Sequence, residues 1–194
     1  MRKIARILPA VLAAALLTGC GGETSSAPTE IIISGTTSEA QPQAFPVKLS
    51  DGTMIDHSPA AAASLSPAAT EIISELGYSD KLTAVCRYCD YPEGLDAQTA
   101  GSSENPDIDR LIELHPEVLF VTSALAEREN YALQTAGITV VELTAPKTIE
   151  EYGSLYGAIE TVFSGEEAGK AAAEKAVSGL EKAASGVSLG TYIY

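Results

Sequence analysis

The sequence predicts an α/β domain built on a mainly parallel sheet, and three observations carry that expectation. Short apolar runs alternate with longer stretches whose apolar residues recur every three or four positions, the periods of strand and helix respectively. One run, Val118-Leu119-Phe120-Val121, is apolar throughout, as suits a strand covered on both faces of a parallel sheet. Most of the helical stretches open on a capping residue or a proline and close on a glycine or a proline.

The chain starts with a segment that does not belong to this domain. Arg2, Lys3 and Arg6 precede an apolar run from Ile7 to Leu17 that is too short for a mature membrane span, which reads as a signal peptide over residues 1–19. The run ends in Leu17-Thr18-Gly19-Cys20, which resembles the lipobox of bacterial lipoproteins and implies acylation of Cys20, hence an extracytoplasmic protein anchored to the membrane through lipid. Residues 20–44 are rich in Gly, Ser, Thr, Pro, Gln and Glu and read as a flexible linker, interrupted by Ile31-Ile32-Ile33.

The domain begins near residue 45. Phe45 to Leu49 and Thr53 to Ile55 flank Ser50-Asp51-Gly52, the signal of a β-hairpin. Ala61 to Leu65 is the next strand, and Ser66-Pro67 places an N-cap and a first-turn proline before a helix that runs to Leu76 and stops at Gly77. Leu82 to Cys86 is a strand leading into the loop Arg87-Tyr88-Cys89-Asp90-Tyr91-Pro92. Asn105-Pro106-Asp107 opens a short helix closed by His115-Pro116. Val118 to Val121, a helix from Leu125 to Ala136, and Ile138 to Leu143 follow, the last as another buried strand. Thr148 to Glu151 and Ser164 to Glu167 both have the capping-box spacing, so one helix starts at each. The first carries a tight apolar stripe of Ile149, Tyr152, Leu155, Tyr156, Ile159, Val162 and Phe163. The second is rich in Ala and runs about five turns to Ala184. Ser188 to Tyr194 reads as one more strand.

Charge and motifs exclude several functions. The chain has 26 acidic and 12 basic residues, a net charge of −14, and losing Arg2, Lys3 and Arg6 with the leader takes it to −17. Such a surface repels phosphate backbones, so no nucleic-acid partner is expected. No nucleophile–base pair, phosphate loop or paired-carboxylate motif has supporting context, and neither an enzyme nor a resident cofactor is expected. Cys86-Arg87-Tyr88-Cys89 is a lone C-x-x-C, open to four readings: redox pair, half a metal site, small disulfide, or unpaired structural thiols, with the last as default. With His57 and His115 as the only histidines, a metal cluster is not expected, and His115 suits a helix-end or surface role.

Three segments resemble one family: Ser64 to Glu71 (SLSPAATE), Tyr88 to Pro92 (YCDYP), and Asn105 to Asp109 (NPDID) leading into Leu114 to Leu119 (LHPEVL). Their order and gaps are similar to those of the helical-backbone substrate-binding proteins of ABC importers for cobalamin, haem and ferric siderophores. That resemblance implies a Rossmann-like N-terminal lobe over residues 45–164, a long connector helix over 165–185, and the first strand of a missing second lobe over 186–194. It also implies a metal-chelate ligand held between two lobes, an ABC permease as partner, and permease docking through a carboxylate at the position of Asp109. A single lobe would then bind its ligand weakly, at roughly millimolar concentration. The alternatives are a surface interaction module without transport and, further off, a C-x-x-C redox module.

In open α/β sheets ligands meet the carboxyl ends of the strands and the helix starts that follow. This picks out Ser66, Pro67, Tyr88, Cys89, Ser102, Ser103, Thr122 and Ser123 as ligand-binding candidates, with Tyr88 foremost because its ring can stack on a planar macrocycle. Cobalamin binders of the family carry tryptophans near the positions of Ser103 and Thr122. This chain contains no Trp, which favours a smaller or more polar chelate, or aromatic contacts from a second lobe.

Overall fold

The computed structural model describes residues 44–185. The leader, Cys20, nearly all of the 20–44 linker and the strand expected at 186–194 therefore lie outside the described residues.

The expected hairpin is present. β1 (Val47–Lys48) and β2 (Met54–Ile55) pair antiparallel. Their turn is closed by the Asp51 carboxylate, which accepts from the Thr53 backbone N–H and hydroxyl, each at 2.9 Å. Gly52 takes a φ of 93°, which a side chain would strain.

The central sheet contains β3 (Ala62–Ser64), β4 (Leu82–Val85), β5 (Gln98–Thr99), β8 (Val118–Val121) and β9 (Thr139–Glu142) in the order β5-β4-β3-β8-β9, parallel at every pairing. Strand alternation divides its buried side chains between two faces. Val118 and Phe120 join Ile72 and Ile73 of α1 (Pro67–Glu75) and Leu155, Ile159, Val162 and Phe163 of α4 (Ile149–Ser164). Leu119 and Val121 point the other way, to Leu111 of α2 (Ile108–Leu114) and Leu133 of α3 (Glu127–Thr135). With helices on both faces, the four residues of β8 are all buried.

The helix signals hold with local corrections. Ser66 caps α1, its hydroxyl accepting from the Ala69 N–H, and Pro67 fills the first turn. The Asn105-Pro106 pair does not open a helix. It forms β7 (Asn105–Pro106), antiparallel to β6 (Gly101–Ser102), and Asp107 is the cap of α2, accepting from the Arg110 N–H at 3.0 Å. Gly101 makes that hairpin possible: its φ is 89°, and a side chain there would run into the backbone of Asn105 and Asp107. His115 ends α2 in the left-handed conformation, exposed. β9 is not fully buried as expected: it is the sheet edge, with Val141 buried and Glu142 exposed.

Thr148 caps α4, but the reciprocal half of its box is displaced by one residue: Glu151 accepts from the Lys147 N–H, not from Thr148. At the second box, Ser164 stays within α4 and its hydroxyl meets the Tyr78 hydroxyl at 2.6 Å. The turn into α5 (Glu166–Ser185) is made at Gly165, with a φ of 93°. The α4 stripe is also redistributed: Ile149 is exposed, whereas Gly153 and Gly157 are buried. They face Ala173 and Gly169 of α5, and a Cβ on Gly157 would approach Gly169 O to 3.0 Å, so α4 and α5 pack close as a helical hairpin. Among the described residues no helix is long and apolar enough to cross a membrane.

Candidate functional site

The strand order reverses at β3. From there the chain steps outward to β4 and β5, then returns to β8 on the other side of β3 and continues to β9. Loops leaving adjacent strands at such a point diverge and open a crevice beyond the carboxyl ends. Here those loops are Leu65-Ser66-Pro67 after β3 and Thr122 to Ala126 after β8, flanked by the Cys86 to Leu95 loop after β4.

Hydroxyl groups hold these loops together. Ser103 Oγ donates to Leu65 O at 2.9 Å and lies 3.5 Å from both the backbone N and the hydroxyl of Thr122, so one buried side chain links three segments. Ser64, buried in β3, donates to Ser66 O at 3.0 Å. Thr70 Oγ1 reaches Ser64 Oγ at 2.9 Å and Cys89 Sγ at 3.2 Å. Ser66, Pro67 and Thr122 line a small cavity of about 350 Å³ with Leu143, Pro146 and Leu155.

The candidates thus divide by exposure. Ser66, Ser102 and Ser103 are buried, and the hydroxyls of Ser66 and Ser103 are used in internal bonds. Ser123 Oγ is shielded from solvent and has no hydrogen-bond partner. Pro67, Tyr88 and Thr122 are exposed at the end of the lobe. Tyr88 is the most prominent of them at 63% exposed, with the Arg87 guanidinium carbon 5.9 Å from its ring centroid. An aromatic face presented this way can receive a flat apolar group, and the adjacent guanidinium can meet a carboxylate at its rim.

The default of unpaired thiols is corrected: Cys86 and Cys89 form a disulfide. Arg87 N–H donates to Gly101 O at 2.8 Å and Cys89 N–H to Cys86 O at 3.1 Å, closing a turn that brings the two Cα atoms to 5.1 Å, within disulfide reach. Paired in this way, the sulfurs are not metal ligands. Among the described residues no group of three or more His, Cys, Asp or Glu side chains comes together as a set of metal ligands.

Asp109 stands exposed in the first turn of α2. It lines a second crevice, of about 850 Å³, with Arg87, Asp107, Arg128 and Glu129. Sequence reasoning did not single out Arg87, Arg128 or Thr70. The first could have been found from its place beside Tyr88 in a chain poor in basic residues, but Thr70 reaches the Tyr88 loop, and Arg128 the second crevice, only through packing. Two perturbed tyrosines lie away from it. Burial, then hydrogen bonding to Glu75, raises the Tyr156 phenol far above the usual tyrosine range, and burial likewise raises Tyr78.

A parallel sheet of this order, with its polar loops at the carboxyl end, agrees with the match of residues 63–189 to the family of periplasmic binding proteins, and the chain belongs to that family. Among individual proteins, it is 31% identical over 112 residues to a vitamin B12-binding protein of Vibrio cholerae, covering 57% of this chain and 40% of that protein. It is 28% identical over 170 residues to the uncharacterized ABC transporter substrate-binding lipoprotein YvrC of Bacillus subtilis, covering 84% and 51%. The crystal structure of the periplasmic vitamin B12 binding protein BtuF of Vibrio cholerae superposes with a TM-score of 0.53 at 28% identity, over 64% of this chain and 49% of that one. That of the heme binding protein HmuT superposes at 0.58 and 19% identity over 77% and 50%, a likeness of fold. The chain therefore spans about half the length of the relatives it matches.

Proposed function

We propose that this chain acts as the substrate-binding component of an ABC importer and takes a large metal chelate, of the cobalamin, haem or ferric-siderophore kind, at the carboxyl end of its sheet. The observation that carries this reading is Tyr88: an aromatic side chain held outward beside a topological switch point, in a family whose relatives include vitamin B12 binders. The exposed ring supplies the stacking face, Thr122 and Arg87 supply polar contacts at its edge, and the buried serines keep the loops in place. In the same reading Cys20 carries the lipid anchor, residues 20–44 tether the lobe to the membrane, α5 serves as the connector helix, and Asp109 pairs with basic residues of the permease.

Nuclear magnetic resonance titration of the full chain with cyanocobalamin, haemin and a ferric hydroxamate tests the site, because it detects binding even at millimolar dissociation constants. Saturable shifts centred on Tyr88 and Thr122 are expected with at least one of them, weakened about tenfold by Tyr88→Ala, which corresponds to roughly 1.4 kcal/mol. Shifts scattered over the surface, or unaffected by that substitution, would sink the assignment. For the docking role, Asp109→Lys should slow association with permease-containing vesicles and flatten its salt dependence. Unchanged rates at low salt would remove Asp109 from that role.

A further inference from the structure

The hydroxyl of Thr70 has more neighbours than helix geometry requires. Thr70 is fully buried in α1, and its Oγ1 lies 2.9 Å from Ser64 Oγ, 2.9 Å from Ser66 O and 3.2 Å from Cys89 Sγ. The Ser66 carbonyl draws two further donors, the Thr70 backbone N–H and the Ser64 hydroxyl, each at 3.0 Å. The one Thr70 proton is shared among three acceptors, Ser66 O, Ser64 Oγ and the sulfur of the Tyr88 loop. Bonded to Cys86, Cys89 Sγ has no proton to give, so the hydroxyl is the donor in that contact.

Tyr88 stands between two ties. On one side the Arg87 N–H is fixed to Gly101 O at 2.8 Å. On the other, the disulfide joins Cys89 to the end of β4, and Thr70 holds its sulfur from α1. Neither tie touches the Tyr88 ring. Both restrain the backbone that carries it.

We propose that Thr70 is a positioning residue for the ligand face: its hydroxyl and the Cys86–Cys89 disulfide latch the Tyr88 loop to α1, so the ring is placed before a ligand arrives. This role rests on Tyr88 being the stacking residue proposed above. Ordering a loop beforehand removes part of the entropy lost on binding, and releasing it weakens affinity about threefold to tenfold. Because Ser66 O keeps both of its other donors, replacing Thr70 by the isosteric Val orphans no backbone group, and the lobe stays folded.

Hydrogen–deuterium exchange on the full chain tests the latch directly, comparing wild type with Thr70→Val and Thr70→Ser. Exchange at residues 87–95 should rise in Thr70→Val, stay at the wild-type level in Thr70→Ser, and be unchanged in β8 and α4 of both. Should Thr70→Val fail to fold, Thr70→Ala, which removes the same hydroxyl without branching at Cβ, should show the same local rise. Unaltered exchange at 87–95 in the folded variants overturns the positioning role whatever happens to binding. In titrations with cyanocobalamin, Thr70→Val should weaken binding threefold to tenfold in the wild-type background and not at all when Tyr88→Ala is already present. A local exchange rise in a chain whose Tyr88 does not respond to cyanocobalamin upholds the latch and overturns the stacking reading instead.

Discussion

The α4–α5 hairpin and the loops at the carboxyl end of the sheet are both held firmly, by opposite means. In the hairpin the contact is made by removing side chains: Gly153 and Gly157 bring α4 onto Ala173 and Gly169 of α5, where backbone approaches backbone. In the loops it is made by adding short polar ones: Ser64, Ser66 and Thr70 bond one another across the β3–α1 turn, and Ser103 and Thr70 reach Leu65 and Cys89, 38 and 19 residues away. A close helix pair tolerates no added volume. Hydrogen bonds are directional and leave the surface above them free, so they suit the end of the lobe where a ligand is proposed to sit.

The largest effect should come from crowding the hairpin. Gly157→Leu puts a branched side chain where a Cβ alone would come within 3.1 Å of the Ala173 Cβ, and a loss of about 3 kcal/mol is expected from denaturant midpoints. A loss under about 1 kcal/mol would mean that α5 moves away readily and that the close packing is dispensable. Next is the hydroxyl network: Ser103→Ala removes the donor to Leu65 O and should cost about 1 kcal/mol, with most of the added exchange in the loops after β3 and β8. An equal cost spread over the whole lobe would erase the distinction between the two regions. Gly179 offers a control on the same helix. Nothing lies near its missing side chain, so Gly179→Ala should stabilise the chain by up to about 1 kcal/mol through helix propensity.

The smallest effect concerns pH. The Tyr156 phenol is raised in the folded lobe by burial and by its bond to Glu75, so its contribution is complete below the ordinary tyrosine value of 10.0 and is lost as pH climbs above it. Urea midpoints at pH 8 and pH 11 should therefore differ less in Tyr156→Phe than in wild type, with Tyr78 accounting for part of the remaining slope. Equal slopes in the two proteins would show that Tyr156 ionises as freely folded as unfolded.

What could be read from the linear chain was whatever depends on neighbours within a turn or two. The apolar run of β8, the Ser66-Pro67 start of α1, the Asp51-Gly52 turn and the Thr148 cap of α4 are short-range effects of burial, dihedral preference and capping. With three resembling segments, they were enough for the fold class and the family. The two-residue strands β5, β6 and β7 escaped because pairs such as Gln98-Thr99 carry no period, and pairing with a distant strand is what makes them strands. Site chemistry was legible by position but not by role. Ser103 falls at a strand end, as expected, yet only folding brings Leu65, 38 residues away, to its hydroxyl. The same holds for Thr70 and the Cys89 sulfur, and for the glycines of α4: a glycine in a helical pattern looks like a weak point until the facing helix is in place. Local propensity fixes which segments become strands and helices, whereas the partners of a buried hydroxyl or a missing side chain are set by residues brought near only when the whole lobe closes.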